Sequence, residues 1–552
     1  MKNGKTINPL LVNCGTILSI GFLAACLASC MASCQEKGPE IESIDPSIGR
    51  MGDILTIRGK GFGNDRGESF ITIAGASPTS SSYLSWDDGE ISVKIPEFGE
   101  AGLVYVHRGR KKSNPALFAN QVTLPVPLEG PQTGNTPRII SIEPSSGAIG
   151  SLITIQGSNF GSSRESSGVF FTWGAESSTE IRGPEFIEAS EAEFGYELWS
   201  EREIRVRVPD GASSGNLEIK TPRGNSPPVY FEISGKPGTK IFRDKRSYTL
   251  SYSVDINIEK ASIPNALYIW MPQPALSASQ RNVRLLSRSE EPFVENYRGT
   301  SLFQFVDAHP KTGNSLTVSY VTDVYAVETS IKSQTPVRLN RTLPLGTIIV
   351  LPSPLIPSGD SGVKAKSAEI IGNERLPYPK AQKIYDWLIS SIQIINAPFS
   401  GGALEALEEK KADSYSASLL FCALARAAEI PAQPVAGVLV NRGQNAVTHY
   451  WAEFWLDGFG WIPLDPALGA GYLPPDFTIR EDYEKYYFGS LDNQRVAFSR
   501  GERFLSQMTP WGQNVQRGRE YSLQNIWEEA VEGLESYSSL WSDVTITGVY
   551  YN

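Results

Sequence analysis

Two hydrophobic patterns follow one another in the last third of the chain, one helical and one strand-like. Over positions 415–428, apolar residues recur at a spacing that places them on one face of a helix. Asp413 and Ser414 stand at its start, and both are residue types that cap helices. Over positions 448–456, side chains alternate between two faces, as they do in a β-strand. The sequence therefore predicts a helix followed by a strand.

One face of the predicted strand carries a histidine with large and acidic side chains: His449, Trp451, Glu453 and Trp455. Residues 457–460, Asp-Gly-Phe-Gly, are typical of a hairpin loop. A hairpin closed there sets Asp465 opposite the stretch just after His449, where its carboxylate can hold the imidazole in one tautomer. The chain has three histidines, and only His449 falls in such a setting. The pattern predicts the His/Asp half of a catalytic triad.

These residues and their neighbours resemble the transglutaminase-like core, in which a nucleophilic Cys opens a helix and a His and an Asp follow on paired strands. The matching runs are 411–415, 419–427, 430–432, 449–453 and 460–466. Counted back from Arg426, the position where the family places its Cys holds Ser414. The resemblance implies an α+β, papain-like core with Ser414, His449 and Asp465 as its site residues.

A hydroxyl in place of the thiol changes the chemistry that this resemblance implies. A thiol at a helix N-terminus beside a histidine ionises readily, whereas a hydroxyl needs His449 as a true general base. Helix capping alone would also account for Ser414, and His449 and Asp465 would then be an idle pair. Cys422 cannot replace the nucleophile, because eight residues of helix put it about 12 Å from Ser414. It is predicted to be a small buried residue.

Three more side chains are candidates for the cleft around this site: Trp451, Glu453 and Trp461. The two tryptophans are better explained as core and cleft wall than as a binding cage. Glu453 is either a buried partner of the His449 network or a carboxylate at the rim. No cluster of metal-ligand residues is visible in the sequence, so we expect neither a catalytic metal nor another cofactor.

An internal repeat lies upstream of the core. The run 41–63 recurs at 139–161 with an offset of 98, whereas 91–96 recurs at 204–209 with an offset of 113. The second copy therefore carries an insertion, which we expect in the acidic stretch around 185–197. Short alternating strands separated by Gly and Pro predict a β-sandwich for each copy. The repeat resembles the IPT/TIG immunoglobulin-like domain, which implies a spacer or binding module without catalysis.

Two further regions flank the core motif. Alternation at 248–254 and 316–320 predicts a third β domain of the kind that often precedes bacterial transglutaminase-like cores. Positions 381–395 predict an amphipathic helix. The tail is rich in aromatic residues. We expect 486–493 to complete the sheet of the core and 511–551 to pack onto that sheet.

The N-terminus combines two lysines, an apolar run at 17–25 and four of the five cysteines of the chain within 34 residues. This layout is typical of an export signal rather than a membrane-spanning helix. The run 27–30, Leu-Ala-Ser-Cys, resembles a bacterial lipobox and implies lipidation of Cys30. Cys26 and Cys34 fit the same pattern and stay as alternatives, as does an ordinary cleaved signal. We expect a lipid anchor in the cell envelope, on the bacterial outer membrane or the cell surface.

Composition and charge narrow the classes of partner that the chain is expected to bind. The chain has 552 residues, of which 40% are hydrophobic and 20% charged, so several domains with ordinary cores fit within it. A net charge of −10 and the absence of a long basic run argue against nucleic acid as a partner. The expected partners are an envelope or extracellular protein, peptide or glycan, and the membrane through the lipid.

The sequence thus predicts a multidomain chain with two all-β IPT/TIG sandwiches, a further β domain and an α+β core. The predicted parts are a signal peptide at 1–30, sandwiches at 39–124 and 137–235, a β domain at 240–355, the core at 365–495 and an aromatic extension at 496–552. Three functions stay open. They are binding or scaffolding by an inactive transglutaminase-like domain, an active Ser-His-Asp hydrolase or acyltransferase acting on envelope or extracellular protein, and adhesion through the sandwiches.

Overall fold

The computed structural model describes residues 38–49, 51–96, 102–120, 136–164, 167–174, 185–190, 195–235, 238–310, 313–331 and 349–551. The predicted signal peptide and the lipidation candidates Cys26, Cys30 and Cys34 lie outside these residues. The chain divides into two compact units, Met1–Thr123 and Leu124–Asn552. Among the described residues, no helix has the length and apolarity needed to cross a membrane.

The first unit is a β-sandwich. Its strands are β1 (Glu40–Asp45), β2 (Ile48–Gly49), β3 (Ile54–Lys60), β4 (Phe70–Ile73), β5 (Tyr83–Trp86), β6 (Glu90–Lys94), β7 (Gly102–Arg108), β8 (Lys111–Lys112) and β9 (Ala116–Asn120). One sheet has the order β1-β3-β6-β5, and the other has the order β2-β9-β7-β4 with β8 beside β7. Alternate residues such as Leu55, Ile57 and Val104 are buried between the sheets, as the alternation predicts.

The second unit begins with a second sandwich. Its strands are β10 (Arg138–Glu143), β11 (Ser146–Gly147), β12 (Leu152–Ser158), β13 (Gly168–Trp173), β14 (Phe186–Glu188), β15 (Tyr196–Trp199), β16 (Glu203–Arg207), β17 (Ala212–Thr221), β18 (Gly224–Asn225) and β19 (Val229–Ile233). The sheet β10-β12-β16-β15 repeats the first sheet of the first sandwich. Strand β14 pairs with β13 and lies within the expected insertion, of which 191–194 is outside the described part of the chain.

The third β region follows directly. Its strands are β20 (Gly238–Ala261), β21 (Ala266–Pro272), β22 (Gln280–Arg288), β23 (Val294–Tyr297), β24 (Thr300–Val306) and β25 (Gly313–Ile331). Strands β20 and β25 pair antiparallel over most of their lengths. Alternate residues of β20, including Tyr248, Leu250 and Tyr252, are buried. The predicted β domain is therefore present.

The α+β core has one sheet and several helices. Its helices are α1 (Ser361–Ile371), α2 (Pro377–Ser391), α3 (Ala403–Glu409), α4 (Ser414–Ala427), α5 (Pro466–Gly469) and α6 (Tyr483–Tyr486). Its strands are β26 (Gln393–Ile394), β27 (Lys411–Ala412), β28 (Ala432–Val440), β29 (Ala446–Leu456), β30 (Gly460–Leu464), β31 (Ser490–Leu491) and β32 (Arg495–Arg500). Four of these strands form the main sheet, in the order β30-β29-β28-β32. Helix α4 is buried against Ala452, Phe454 and Leu456 of β29.

The helix predicted at 381–395 is observed as α2, which begins and ends four residues earlier. Proline stands in the first turn of α2, where its missing N–H costs nothing and its fixed φ favours a helix start. The helix predicted at 415–428 and the strand predicted at 448–456 are observed as α4 and β29, within two residues at each end. These two elements position the candidate site.

The tail packs onto the sheet of the core, as predicted: the rings of Tyr521 and Phe498 of β32 have centroids 4.8 Å apart, and both belong to one hydrophobic core with Val438 of β28. Its strands are β33 (Gln513–Val515), β34 (Glu528–Ala530), β35 (Leu534–Trp541) and β36 (Thr545–Tyr551). Strands β35 and β36 pair with β20, and β34 pairs with β21. The tail therefore supplies hydrogen-bond partners for strand edges of the third β region.

The stretch 486–493 extends the sheet of the core at β30, as predicted: the Asp465 N–H donates to the Tyr487 carbonyl at 2.9 Å, and the Gly489 N–H donates to the Pro463 carbonyl at 2.8 Å. Strand β31, which lies in that stretch, pairs with β25 of the third β region. At its opposite edge, the sheet of the core ends in β32, which pairs with β28. The core therefore reaches Arg500, beyond its predicted end at residue 495.

Candidate functional site

The start of α4 is capped by Asp413. Its Oδ1 accepts a hydrogen bond from the Ser416 backbone N–H at 2.9 Å and another from Ser416 Oγ at 2.7 Å. Ser414 is the first residue of the helix proper and is half-buried. The sequence offered both residues as caps, and the structure gives this role to Asp413. Capping therefore does not explain the hydroxyl of Ser414.

His449 and Asp465 form a buried hydrogen-bonded pair. His449 lies on β29, and Asp465 follows β30 and caps α5. The distance from His449 Nε2 to Asp465 Oδ2 is 2.8 Å, and the two side chains are 1% and 0% exposed. An ionised carboxylate only accepts, so Nε2 carries the proton and Nδ1 is left as the basic nitrogen. This is the orientation that the hairpin at 457–460 predicts.

Two aromatic rings enclose the imidazole of His449. The ring of Trp451 lies with its centroid 6.3 Å away at an interplanar angle of 21°. The ring of Tyr472, on the loop after α5, lies 6.0 Å away and is almost parallel at 2°. Trp451 is therefore a wall of the site, as predicted. Tyr472 is a wall residue that the sequence motifs did not indicate.

Arg495 completes the charged part of the site and was missed from the sequence. Its Nη1 donates to Asp465 Oδ2 at 3.0 Å, and its Nη2 donates to Asp492 Oδ2 at 2.7 Å. Its guanidinium lies over the Trp451 ring, 5.0 Å from the centroid. A charged residue at the head of the apolar strand β32 was the available signal, because a buried arginine needs partners.

Burial and charge act in opposite directions on Asp465. Burial alone would raise the pKa of its carboxyl group. The charge and hydrogen bond of His449, the charge of Arg495 and the hydrogen bond from the Leu468 N–H outweigh burial and hold this pKa below its ordinary value. Asp465 is therefore ionised at neutral pH and can stabilise a positive charge on the imidazole.

The first turn of α4 lies beside the part of β29 that carries His449. Tyr415 and Tyr450, the residues that directly follow Ser414 and His449, have ring centroids 5.0 Å apart in an edge-to-face contact. Helix α4 also contacts α5, which begins immediately after Asp465. The structure thus brings the helix start, the imidazole and the carboxylate into one region of the core.

Glu453 belongs to a separate buried network. Its Oε1 accepts hydrogen bonds from Gln433 Nε2 at 2.6 Å and from Arg500 Nε at 2.9 Å. The residue is 8% exposed, so it is not a carboxylate at the rim of a cleft. Its contacts tie β28, β29 and β32 together. We assign Glu453 to the structure of the sheet.

Trp461 is not a wall of the site, and its assignment to the cleft is corrected. It pairs with Trp455 across the hairpin, and both rings belong to the hydrophobic core of the second sandwich. Trp455 is six residues beyond His449 on the same strand, which corresponds to about 20 Å. The alternation correctly placed Trp455 on the His449 face. It could not show that another domain covers the far end of that face.

The hairpin between β29 and β30 is held by the second sandwich and the third β region. The Gly458 N–H donates to the Ile149 carbonyl at 3.1 Å. Lys240 Nζ donates to Asp210 Oδ1 at 2.6 Å and to the Trp461 carbonyl at 2.7 Å. The side chains of Lys240 and Asp210 are each 8% exposed. The strands that carry His449 and precede Asp465 are therefore fixed from outside the core.

Cys422 lies inside α4 and is fully buried. Burial raises the pKa of its thiol well above the ordinary range, so it is a poor nucleophile. This agrees with its prediction as a small core residue.

Family models match three segments of the chain. The transglutaminase-like superfamily model matches residues 364–466, and the IPT/TIG domain model matches residues 39–119 and 137–233. The chain therefore contains a transglutaminase-like core and two IPT/TIG domains.

Similar proteins cover only parts of the chain. An uncharacterised protein of Haemophilus influenzae is 28% identical over 179 residues, which are 26% of this chain and 48% of that protein. A cyclomaltodextrin glucanotransferase of Paenibacillus macerans is 29% identical over 85 residues, 15% of this chain and 12% of that enzyme. The chain thus matches about half of the first relative and a small part of the second. Among solved structures, a candidate cysteine protease from Cytophaga hutchinsonii is 16% identical, with a TM-score of 0.34 over 57% of this chain and 92% of that chain.

Proposed function

We propose that this chain is a cell-envelope lipoprotein whose transglutaminase-like core binds a peptide, protein or glycan without turning it over. The observation that carries the proposal is a serine, Ser414, at the start of α4, whose first turn contacts the strand that carries the His449 of the buried His449–Asp465 pair. By its spacing from Arg426, Ser414 takes the place of the Cys of the family. A hydroxyl gains far less from a helix N-terminus and an imidazole than a thiol does, because it does not ionise there.

The buried charges favour a retained role for the site. Asp465 and Arg495 are 0% and 4% exposed, and burying such groups costs desolvation energy that their pairing only partly offsets. Apolar residues of similar size often stabilise a core equally well. Retention of the whole network therefore supports a site whose shape and polarity still serve binding.

A Ser-His-Asp hydrolase or acyltransferase is the second candidate function. It is favoured by the capping role of Asp413, which leaves the Ser414 hydroxyl outside the cap. It is also supported by the hydrogen bond from His449 Nε2 to Asp465, which makes Nδ1 the basic nitrogen. In this reading Ser414 is the nucleophile, His449 the base and Asp465 the residue that orients the base.

The test introduces the thiol that the family uses. In a Cys422→Ala background, Ser414→Cys is alkylated with iodoacetamide as a function of pH, and modification is measured on the tryptic peptide 412–426. We expect a thiol that titrates below about 8.5, because the helix N-terminus and His449 both favour the thiolate. His449→Ala should raise the midpoint. A thiol that titrates at about 8.5, with a midpoint that does not change in His449→Ala, would contradict a retained site.

The envelope location has its own test. Cys30→Ser should move the protein from the membrane fraction to the soluble fraction, while Cys26→Ser and Cys34→Ser should leave it in the membrane. Release by one of the control variants alone would assign lipidation to that cysteine. A protein that stays soluble with all three cysteines intact would contradict the lipid anchor.

A further inference from the structure

Arg519, in the segment that joins β33 to β34, reaches the start of α4. Its Nη1 pairs with Asp413 Oδ2, and its Nη2 donates to the Gly401 carbonyl at 2.6 Å. Its guanidinium lies over the Tyr415 ring, 4.8 Å from the centroid. Two of these three contacts, with Asp413 and Tyr415, are to the residues on either side of Ser414, although Arg519 lies 106 positions from Asp413 along the chain.

The same contacts fix the loop that precedes α3. Asp413 Oδ2 also accepts a hydrogen bond from the Phe399 N–H at 3.0 Å. Ser416 Oγ, which donates to Asp413 Oδ1, also lies 3.1 Å from the Gly401 carbonyl. Arg519 is therefore a partner common to Asp413 and Gly401. The guanidinium ties the loop before α3 to the first turn of α4.

The backbone around Arg519 is held in place from the strand of His449. The Tyr450 hydroxyl donates to the Glu520 carbonyl at 2.7 Å. Arg519 itself has a φ of 64°, in the left-handed region that long side chains seldom adopt. Such a conformation persists only where surrounding contacts determine it. The position of the guanidinium is thus imposed by the fold rather than by local sequence.

We propose that Arg519 is a positioning residue of the candidate site, which holds Asp413 and the first turn of α4 and offsets the negative charge next to residue 414. The proposal rests on the proposed function, because it assigns a role relative to the Ser414 site. Without Arg519, the Asp413 carboxylate stands uncompensated beside residue 414. A thiolate placed at residue 414 is then disfavoured by a neighbouring like charge.

The experiment measures this charge effect on the full chain with Ser414→Cys and Cys422→Ala. Arg519→Ala should raise the pH midpoint of alkylation and lower the rate at neutral pH about three- to tenfold, which corresponds to half to one pKa unit. The matched control is Arg517→Ala, in the same segment, where Arg517 forms a partly exposed pair with Glu520 at 3.4 Å. This control should leave the midpoint unchanged.

A second pair of variants separates electrostatic positioning from a merely structural role. Asp413→Asn keeps a capping side chain but removes the charge. In that background Arg519→Ala should no longer shift the midpoint, which a general loosening of the fold would not reproduce. Arg519→Gln removes the charge but keeps a side chain that can form hydrogen bonds. Its effect on the alkylation midpoint, with and without Asp413→Asn, provides the same comparison with less disturbance of the packing.

The outcomes distinguish the two proposals. Equal midpoints for Arg519→Ala and Arg517→Ala would overturn the role of Arg519, whatever the midpoint of the parent. The parent Ser414→Cys protein alone decides the proposed function. A shift with Arg519→Ala that vanishes with Asp413→Asn establishes the positioning role.

Discussion

Asp465 Oδ2 accepts hydrogen bonds from both His449 Nε2, at 2.8 Å, and Arg495 Nη1, at 3.0 Å. One carboxylate oxygen thus joins β29, the loop after β30 and β32. The other oxygen accepts from the Leu468 N–H at 3.0 Å. Asp465 is therefore the residue on which the orientation of His449 and the neutralisation of Arg495 both depend.

The first prediction is that Asp465→Ala destabilises the protein by about 3–5 kcal/mol, because it leaves the buried Arg495 with a single carboxylate partner. Urea unfolding followed by tryptophan fluorescence measures this change. The control is Asp482→Ala, whose pair with Arg480 is about half exposed and should contribute little. Equal unfolding midpoints for the two variants would contradict the buried network.

The second prediction concerns the contribution of Asp465 to the stability of the protein at acidic pH. The pKa of Asp465 in the folded protein is below its ordinary value, so its contribution to stability is fully present above the unfolded pKa of about 3.9. That contribution is lost as the pH falls through the folded pKa. The difference in unfolding free energy between wild type and Asp465→Asn should therefore narrow below about pH 4. If the two proteins differ in unfolding free energy by the same amount at about pH 5 and at about pH 3, this prediction is wrong.

The third prediction concerns the hairpin that carries the site. Asp210→Ala should lower stability by about 3–5 kcal/mol, because it leaves the buried Lys240 ammonium without a carboxylate partner, with the Trp461 carbonyl and the Phe459 ring as its neighbours. The control is Arg223→Ala, whose pair with Glu201 is exposed on the same sandwich. If both variants unfold at the same urea concentration, the second sandwich does not brace the core through this pair.

Local patterns were sufficient to predict α2, α4 and the hairpin of β29 and β30. The alternation over 448–456 and the loop at 457–460 place His449 and Asp465 correctly, because both follow from the period of a strand and the geometry of a hairpin. The offset of 98 is observed as the matching positions of β1 and β10 and of β3 and β12. These inferences use residues close together in sequence.

Contacts between distant segments could not be predicted in this way. Arg495 meets Asp465 across 30 positions and Arg519 meets Asp413 across 106, and no period of a helix or strand encodes such contacts. Trp461 was misassigned for a related reason. Alternation gives the face of a strand, whereas the domain that covers that face depends on the fold of the whole chain.

The proposed loss of catalysis at Ser414 is tested most directly by treating the purified wild-type chain with a serine-reactive phosphonate. Labelling is measured on the tryptic peptide 412–426, which contains Ser414. We expect no labelling of Ser414, because the proposed binding role requires that the His449–Asp465 pair does not activate the hydroxyl at the start of α4. Stoichiometric labelling of Ser414 that is lost in His449→Ala would contradict the binding role and establish a serine hydrolase.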